Sequence, residues 1–136
     1  MKFKIACGTD DSQNFTTEHF GDSKYFLIYE CDSEIGKIVF LEKRKNNSEE
    51  EEKHGDPKKA KGISEILKEV PVLLAFAMGP NIVRMRKKFV PIISKEKDIK
   101  KTLEKFKEII PEVLEEIEKT EEDTKNSGGK KVFVID

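Results

Sequence analysis

Val72-Leu73-Leu74-Ala75-Phe76-Ala77 is a run of six apolar residues with no polar alternate. A strand with one face in water alternates apolar with polar, so an unbroken apolar strand has to be covered on both faces. The chain must therefore build a sheet layered between helices, with this segment as a central strand.

The rest of the chain supplies the other layers. Lys2 to Cys7 alternates, which puts Phe3, Ile5 and Cys7 on one face of a first strand that Gly8 ends. Thr9 to Phe20 has no sustained period and reads as an irregular surface loop, a common seat of function. Lys24 to Cys31 and Lys37 to Leu41 are rich in β-formers, and Asp32 to Gly36 between them is a turn, so a hairpin is expected. Arg44 to His54, with Glu49-Glu50-Glu51-Glu52, carries too little apolar surface to fold alone and is expected to be a mobile connection. Asp56-Pro57 signals a helix start, and Ile63, Ile66, Leu67 and Val70 recur at helical spacing, predicting a helix from about Pro57 to Glu69.

After the central run, Met78-Gly79-Pro80-Asn81 leads into a helix expected from Pro80 to about Lys87. Val90 to Ile93 then makes a short strand, which Pro91 places at a sheet edge. Asp98 caps a helix lined by Ile99, Leu103, Phe106 and Ile110, and Pro111 must kink it or start another. Thr120 to Lys130 is polar and ends in Ser127-Gly128-Gly129, a flexible linker by composition. Lys131 to Asp136 reads as a terminal strand that must join a sheet edge, either its own or that of a neighbouring subunit, the second being a route to a homo-oligomer. The expected architecture is α/β: a mixed five-stranded sheet, three antiparallel strands then two parallel ones, helices on both faces, and an extra C-terminal helix and strand. Residues 1–110 form the main domain and 111–136 the extension.

Charge narrows the function. The chain has 26 Lys or Arg against 27 Asp or Glu and a net charge of -1, which excludes binding to nucleic acid by bulk positive charge. Its basic residues are nearly all Lys and its acidic ones mostly Glu, the compositional trend of hyperthermophile proteins. No apolar run reaches the roughly 20 residues that span a bilayer, and Met1 to Ile5 leads into a strand, so a cytoplasmic protein is expected. Cys7 and Cys31 would there remain thiols, with burial as small hydrophobes the simplest role for each.

In an open sheet, ligands favour the crevice beyond the carboxyl ends of parallel strands. Cys7 to Asp10 and Met78 to Asn81 fall there. Gly79 lets backbone approach a ligand closely, and amides at the start of the Pro80 helix favour an anion. His19 and His54 are the only histidines, both in loops, where an imidazole is either merely solvated or a metal ligand. Cys7, Cys31 and Met78 are soft sulfur donors, but no Cys-x-x-Cys or His-x-x-x-His pair encodes a closed zinc site. Catalysis has weaker support: there is no Gly-x-Ser-x-Gly elbow and no Walker loop, and Val72 to Met78 brings no carboxylate to two-metal chemistry.

Two segments carry a family resemblance: His19-Phe20-Gly21-Asp22-Ser23-Lys24-Tyr25-Phe26, and Met78-Gly79-Pro80-Asn81. Their order and spacing, with the helix between them, resemble the dinitrogenase iron-molybdenum cofactor biosynthesis family, the small domain of NifX, NafY and the end of NifB, over about residues 1 to 110. The resemblance implies a ribonuclease H-like three-layer α/β/α fold without nuclease activity. It also implies a non-enzymatic carrier of an iron-sulfur or iron-molybdenum-type cofactor or its precursor, bound transiently and passed between cofactor-assembly proteins. On this reading His19 is the metal ligand, with Cys7, Met78, Gly79 and Asn81 completing the cofactor site, and neither nucleic acid nor membrane is a partner. The rival reading is a regulatory or interaction domain that keeps the fold without the cluster and docks a protein through its acidic loop or terminal strand.

Overall fold

The computed structural model describes residues 1–48 and 57–136. The expected Asp56 cap, His54 and the run Glu49 to Glu52 lie outside the described residues. The elements are β1 (Lys2–Thr9), β2 (Tyr25–Asp32), β3 (Lys37–Lys45), α1 (Pro57–Ile66), β4 (Val72–Ala75), α2 (Ile82–Met85), β5 (Val90–Ser94), α3 (Ile99–Phe106), α4 (Ile110–Glu118), α5 (Glu121–Thr124) and β6 (Phe133–Ile135). The strands form one six-stranded sheet in the order β3-β2-β1-β4-β5-β6. β1, β2 and β3 pair antiparallel, whereas β4 joins β1 parallel, β5 joins β4 and β6 joins β5 in the same sense.

Alternation divides two cores between the faces. Phe3, Ile5, Cys7, Leu74 and Ile92 meet Leu103, Phe106 and Val113 on one side. Ala6, Ile28, Leu73 and Ala75 meet Ile63, Leu67 and Met85 on the other. All four residues of β4 are buried, as an apolar run sandwiched between helices requires. Each fully buried Leu or Ile contributes roughly 1.5–3 kcal/mol relative to exposure. Val113, Phe133 and Ile135 belong to the first of these cores, so residues beyond Pro111 pack with those before it.

Five expectations are corrected. β5 is not an edge strand, because β6 lies outside it. Pro91 is tolerated because Val90 N–H bonds the Pro71 carbonyl, which by alternation turns the Pro91 nitrogen toward the β6 side, and β6 pairs only from Ile92 onward. β3 runs on to Lys45 beyond the apolar stretch. Arg44 anchors this charged end, donating to the Ile66 carbonyl (2.8 Å) and the Glu69 carboxylate (2.6 Å).

The α1 helix stops at Ile66, and the helix expected from Pro80 is the four-residue α2. Thr120 to Lys130 is not structureless. Thr120 and Asp123 form a reciprocal capping box, and the Lys130 ammonium donates to the carbonyls of Glu116 (2.7 Å), Ile117 (3.3 Å) and Lys119 (2.5 Å). Those carbonyls lie in the last turn of α4, where the ladder of helical hydrogen bonds runs out and Glu116 is left with only the C-cap Lys119 N–H at 3.2 Å, so a lysine reaching back ties the polar segment to the helix end. Pro111 starts a second helix, α4, after a 3-10 turn at Lys107–Ile109. Asp98 caps α3 as expected, its carboxylate accepting from Lys101 N–H at 3.0 Å. β6 pairs with β5 of its own chain, not with a neighbour's sheet.

Candidate functional site

The loop before β2 is held against the end of β4. Phe20 N–H donates to the Ala77 carbonyl at 2.7 Å, and the Phe20 ring is fully buried beside Phe26, with centroids 5.0 Å apart. Phe20–Asp22 form a 3-10 turn, closed where Ser23 N–H and Oγ both donate to the Phe20 carbonyl, at 3.2 and 2.7 Å. Gly8 makes this possible, since a Cβ there would collide with Ser23 Oγ. Asn46 secures the turn from outside, its Nδ2 donating to the carbonyls of Gly21 (2.8 Å) and Ser23 (2.7 Å).

His19 precedes the turn in extended conformation (φ -65, ψ 149), which directs its imidazole onto Gly79. A Cβ on Gly79 would stand 2.5 Å from His19 Nδ1 and 2.6 Å from Cγ, and Gly79 has φ +76. Only glycine satisfies both demands. Nδ1 lies 4.0 Å from Asp22 Oδ2, and the His19 side chain keeps 34% of its surface exposed. Asp22 Oδ1 is 3.7 Å from Lys59 Nζ, on a side chain only 8% exposed. His19, Asp22, Lys59, Met78 and Asn81 line one dimple of about 10 Å³, room for roughly one water. Anything larger must sit over this rim.

The structure thus brings together His19, Met78, Gly79 and Asn81, and adds Asp22, Lys59 and Asn46. Lys59 had a sequence signal that went unread: it falls four residues before Ile63, on the apolar stripe of α1, where a lysine is out of place. Asn46 had none.

Cys7 does not join the site. It is fully buried on the opposite face of the sheet, in the core containing Leu74, and burial pushes its thiol far above the ordinary range. Cys31 lies in that same core, its thiol raised first by burial and then by Asp32. A thiol held protonated is a poor metal ligand. The anion-binding helix start is corrected too: Ile82 N–H bonds the Gly79 carbonyl (3.2 Å) and Val83 N–H the Pro80 carbonyl (3.3 Å), so these amides are engaged within the turn. Asn81 is buried and accepts from Arg84 Nη1 at 3.2 Å, which makes it a brace of the turn. Among the described residues, no three His, Cys, Asp or Glu converge as a metal-binding group. Nor is any described helix long and apolar enough to cross a membrane.

Strand order, helices on both faces and a histidine loop seated on a Gly-Pro-Asn turn define a small three-layer α/β/α domain with its candidate site at the carboxyl end of β4. Residues 1–109 match the family described as dinitrogenase iron-molybdenum cofactor, and the chain belongs to that family. Among solved structures, it is similar to an NMR structure of a Thermotoga protein provisionally assigned as NifB, with 21% identity and a TM-score of 0.53, covering 78% of this chain and 88% of that one. That likeness concerns the fold. No protein of curated function matches the chain.

Proposed function

We propose that the protein is a non-enzymatic cytoplasmic carrier that holds an iron-sulfur or iron-molybdenum-type cofactor, or its precursor, at the His19 rim and passes it between cofactor-assembly proteins. Residues 1–110 are the carrier domain and 111–136 an extension. The observation that supports this most is the seating of a one-third-exposed imidazole on Gly79 at the strand end, with the buried Lys59 ammonium close by.

A preassembled cluster fits this donor set better than a bare metal ion. A bare ion needs several protein ligands, whereas a cluster brings its own sulfides and can be held by one imidazole at an open coordination position. Lys59 offsets part of its negative charge, Met78 and Asn81 line the dimple beneath, and Gly79 carries the imidazole. A single protein ligand on an open rim also permits release, which a carrier requires. The docking-module reading has less support, since β6 is taken up in its own sheet.

The test is anaerobic titration of the apoprotein with isolated iron-molybdenum cofactor, followed by absorbance. His19→Ala should weaken binding about tenfold, about 1.4 kcal/mol, and leave the unfolding midpoint unchanged. Equal affinity in both proteins would remove His19 from the site.

A further inference from the structure

The face of β2 and β3 that looks toward α3 is only partly covered. Leu27, Tyr29, Ile38 and Phe40 share that face by pairing, Tyr29 opposite Phe40 and Cys31 opposite Ile38. The groove between them and α3 has a volume of about 610 Å³, within the roughly 300–1,000 Å³ of small-molecule sites. Tyr29 and Phe40 meet edge to face, centroids 5.6 Å apart, and Phe40 is 55% exposed. The two rings make an aromatic corner, Tyr29 half-buried and Phe40 standing in water.

Charge is sorted between the two faces of this hairpin. Glu30, Asp32, Lys37, Glu42 and Arg44 alternate onto the α1 side, whereas Lys43 and Lys45 are the charged residues that pair onto the α3 side, opposite Leu27 and Tyr25. Lys43 lies over the Tyr25 ring, 3.9 Å from its centroid, and Lys100 and Lys107 stand on the far wall. Among the described residues the one carboxylate of the lining, Glu104, is bound to Lys107 at 3.0 Å, and none of them gives Lys43 or Lys100 a carboxylate partner in the groove. A chain of net charge -1 therefore presents a locally cationic, aromatic groove.

We propose that this groove binds a small organic anion with a flat apolar body, the body resting on Leu27, Tyr29 and Phe40 and the anionic group meeting Lys43 and Lys100. The apolar floor supplies burial and the lysine rim selects the charge, the usual division of labour in ligand sites. Tyr29 remains a neutral hydroxyl at physiological pH, since burial first and Cys7 second push its pKa up to about 12, so it can donate to the ligand. The groove and the His19 rim lie on opposite faces of the sheet, so either can fail without the other.

The test titrates the full chain with 8-anilinonaphthalene-1-sulfonate, followed by fluorescence and by amide shifts in ¹⁵N-labelled protein. The neutral analogue N-phenyl-1-naphthylamine, the same body without the sulfonate, is the control. One saturable site is expected, with shifts at Leu27, Tyr29, Ile38, Phe40 and Leu103, at least fivefold tighter for the sulfonate than for the analogue. The double variant Lys43→Glu, Lys100→Glu should lose that preference while keeping native shift dispersion. Shifts centred elsewhere, non-saturating fluorescence, equal affinity for the two probes, or a preference that survives charge reversal would each overturn the proposal.

Discussion

The His19 ring occupies the space that a side chain on residue 79 would need, 2.5 Å separating Nδ1 from the position of a Cβ on Gly79. Gly79→Ala must therefore displace the imidazole and also hold alanine at φ +76. The left-handed conformation alone costs about 1–2 kcal/mol. A lower urea midpoint with an unchanged slope is expected, together with cluster affinity at least as weak as that of His19→Ala. Wild-type stability in this variant would show that the contact does not constrain the loop.

Lys59 separates stability from binding. Its ammonium is buried beside a carboxylate that is itself 37% exposed, so Lys59→Met removes a desolvated charge and strands little. Removing one partner of an ion pair is strongly destabilising when the other charge is left buried, and Asp22 is not, because water reaches its carboxylate. Unfolding should be unaffected or slightly later, while affinity for an anionic cluster falls about tenfold and becomes less sensitive to salt. Unaltered affinity and salt dependence would take Lys59 out of the site.

Asn46 carries the turn from outside. Asn46→Ala deletes both hydrogen bonds to the Gly21 and Ser23 carbonyls, for a loss of about 1–3 kcal/mol at roughly 0.5–1.5 kcal/mol each. Faster hydrogen exchange in residues 20–24 would place the loss in that turn, whereas uniform changes across the sheet would argue against it.

The C-terminal extension should respond to acid. Burial opposes ionisation of Glu116, but Lys119 (2.6 Å), the Lys131 N–H (2.8 Å) and the Lys119 and Lys130 charges together hold its carboxyl below the ordinary range. The folded value thus lies under the unfolded one, about 4.3. Its stabilisation is complete above that pH and is lost as pH falls through the folded value. Glu116→Gln should lower stability by about 1.5–3 kcal/mol at neutral pH and flatten the acid limb of a pH series. Parallel curves for the two proteins would contradict this.

Period and apolarity made the layers legible. The unbroken β4 run, the alternation of β1, the α1 stripe and the Asp98 cap all appear where the pattern puts them, because each depends on neighbours a few residues away. The misreadings have one kind of cause. Pro91 signals an edge unless the position of β6 is known, and Thr120–Lys130 reads as linker unless the Lys130 ammonium is seen among the α4 carbonyls. Cys7 followed the same logic: alternation put it at a strand end beside the site, but on the wrong face of the sheet.

What the chain settled alone was its class, a central strand needing cover on both faces and two loops bearing His-Phe-Gly and Gly-Pro-Asn. Tertiary structure alone decided that these loops touch, through the Phe20 N–H on the Ala77 carbonyl, and that Asp22 and Lys59 stand beside them. The reason is that hydrophobic periodicity is written locally, whereas a site assembled from distant segments exists only once the sheet has closed and burial has fixed which faces meet.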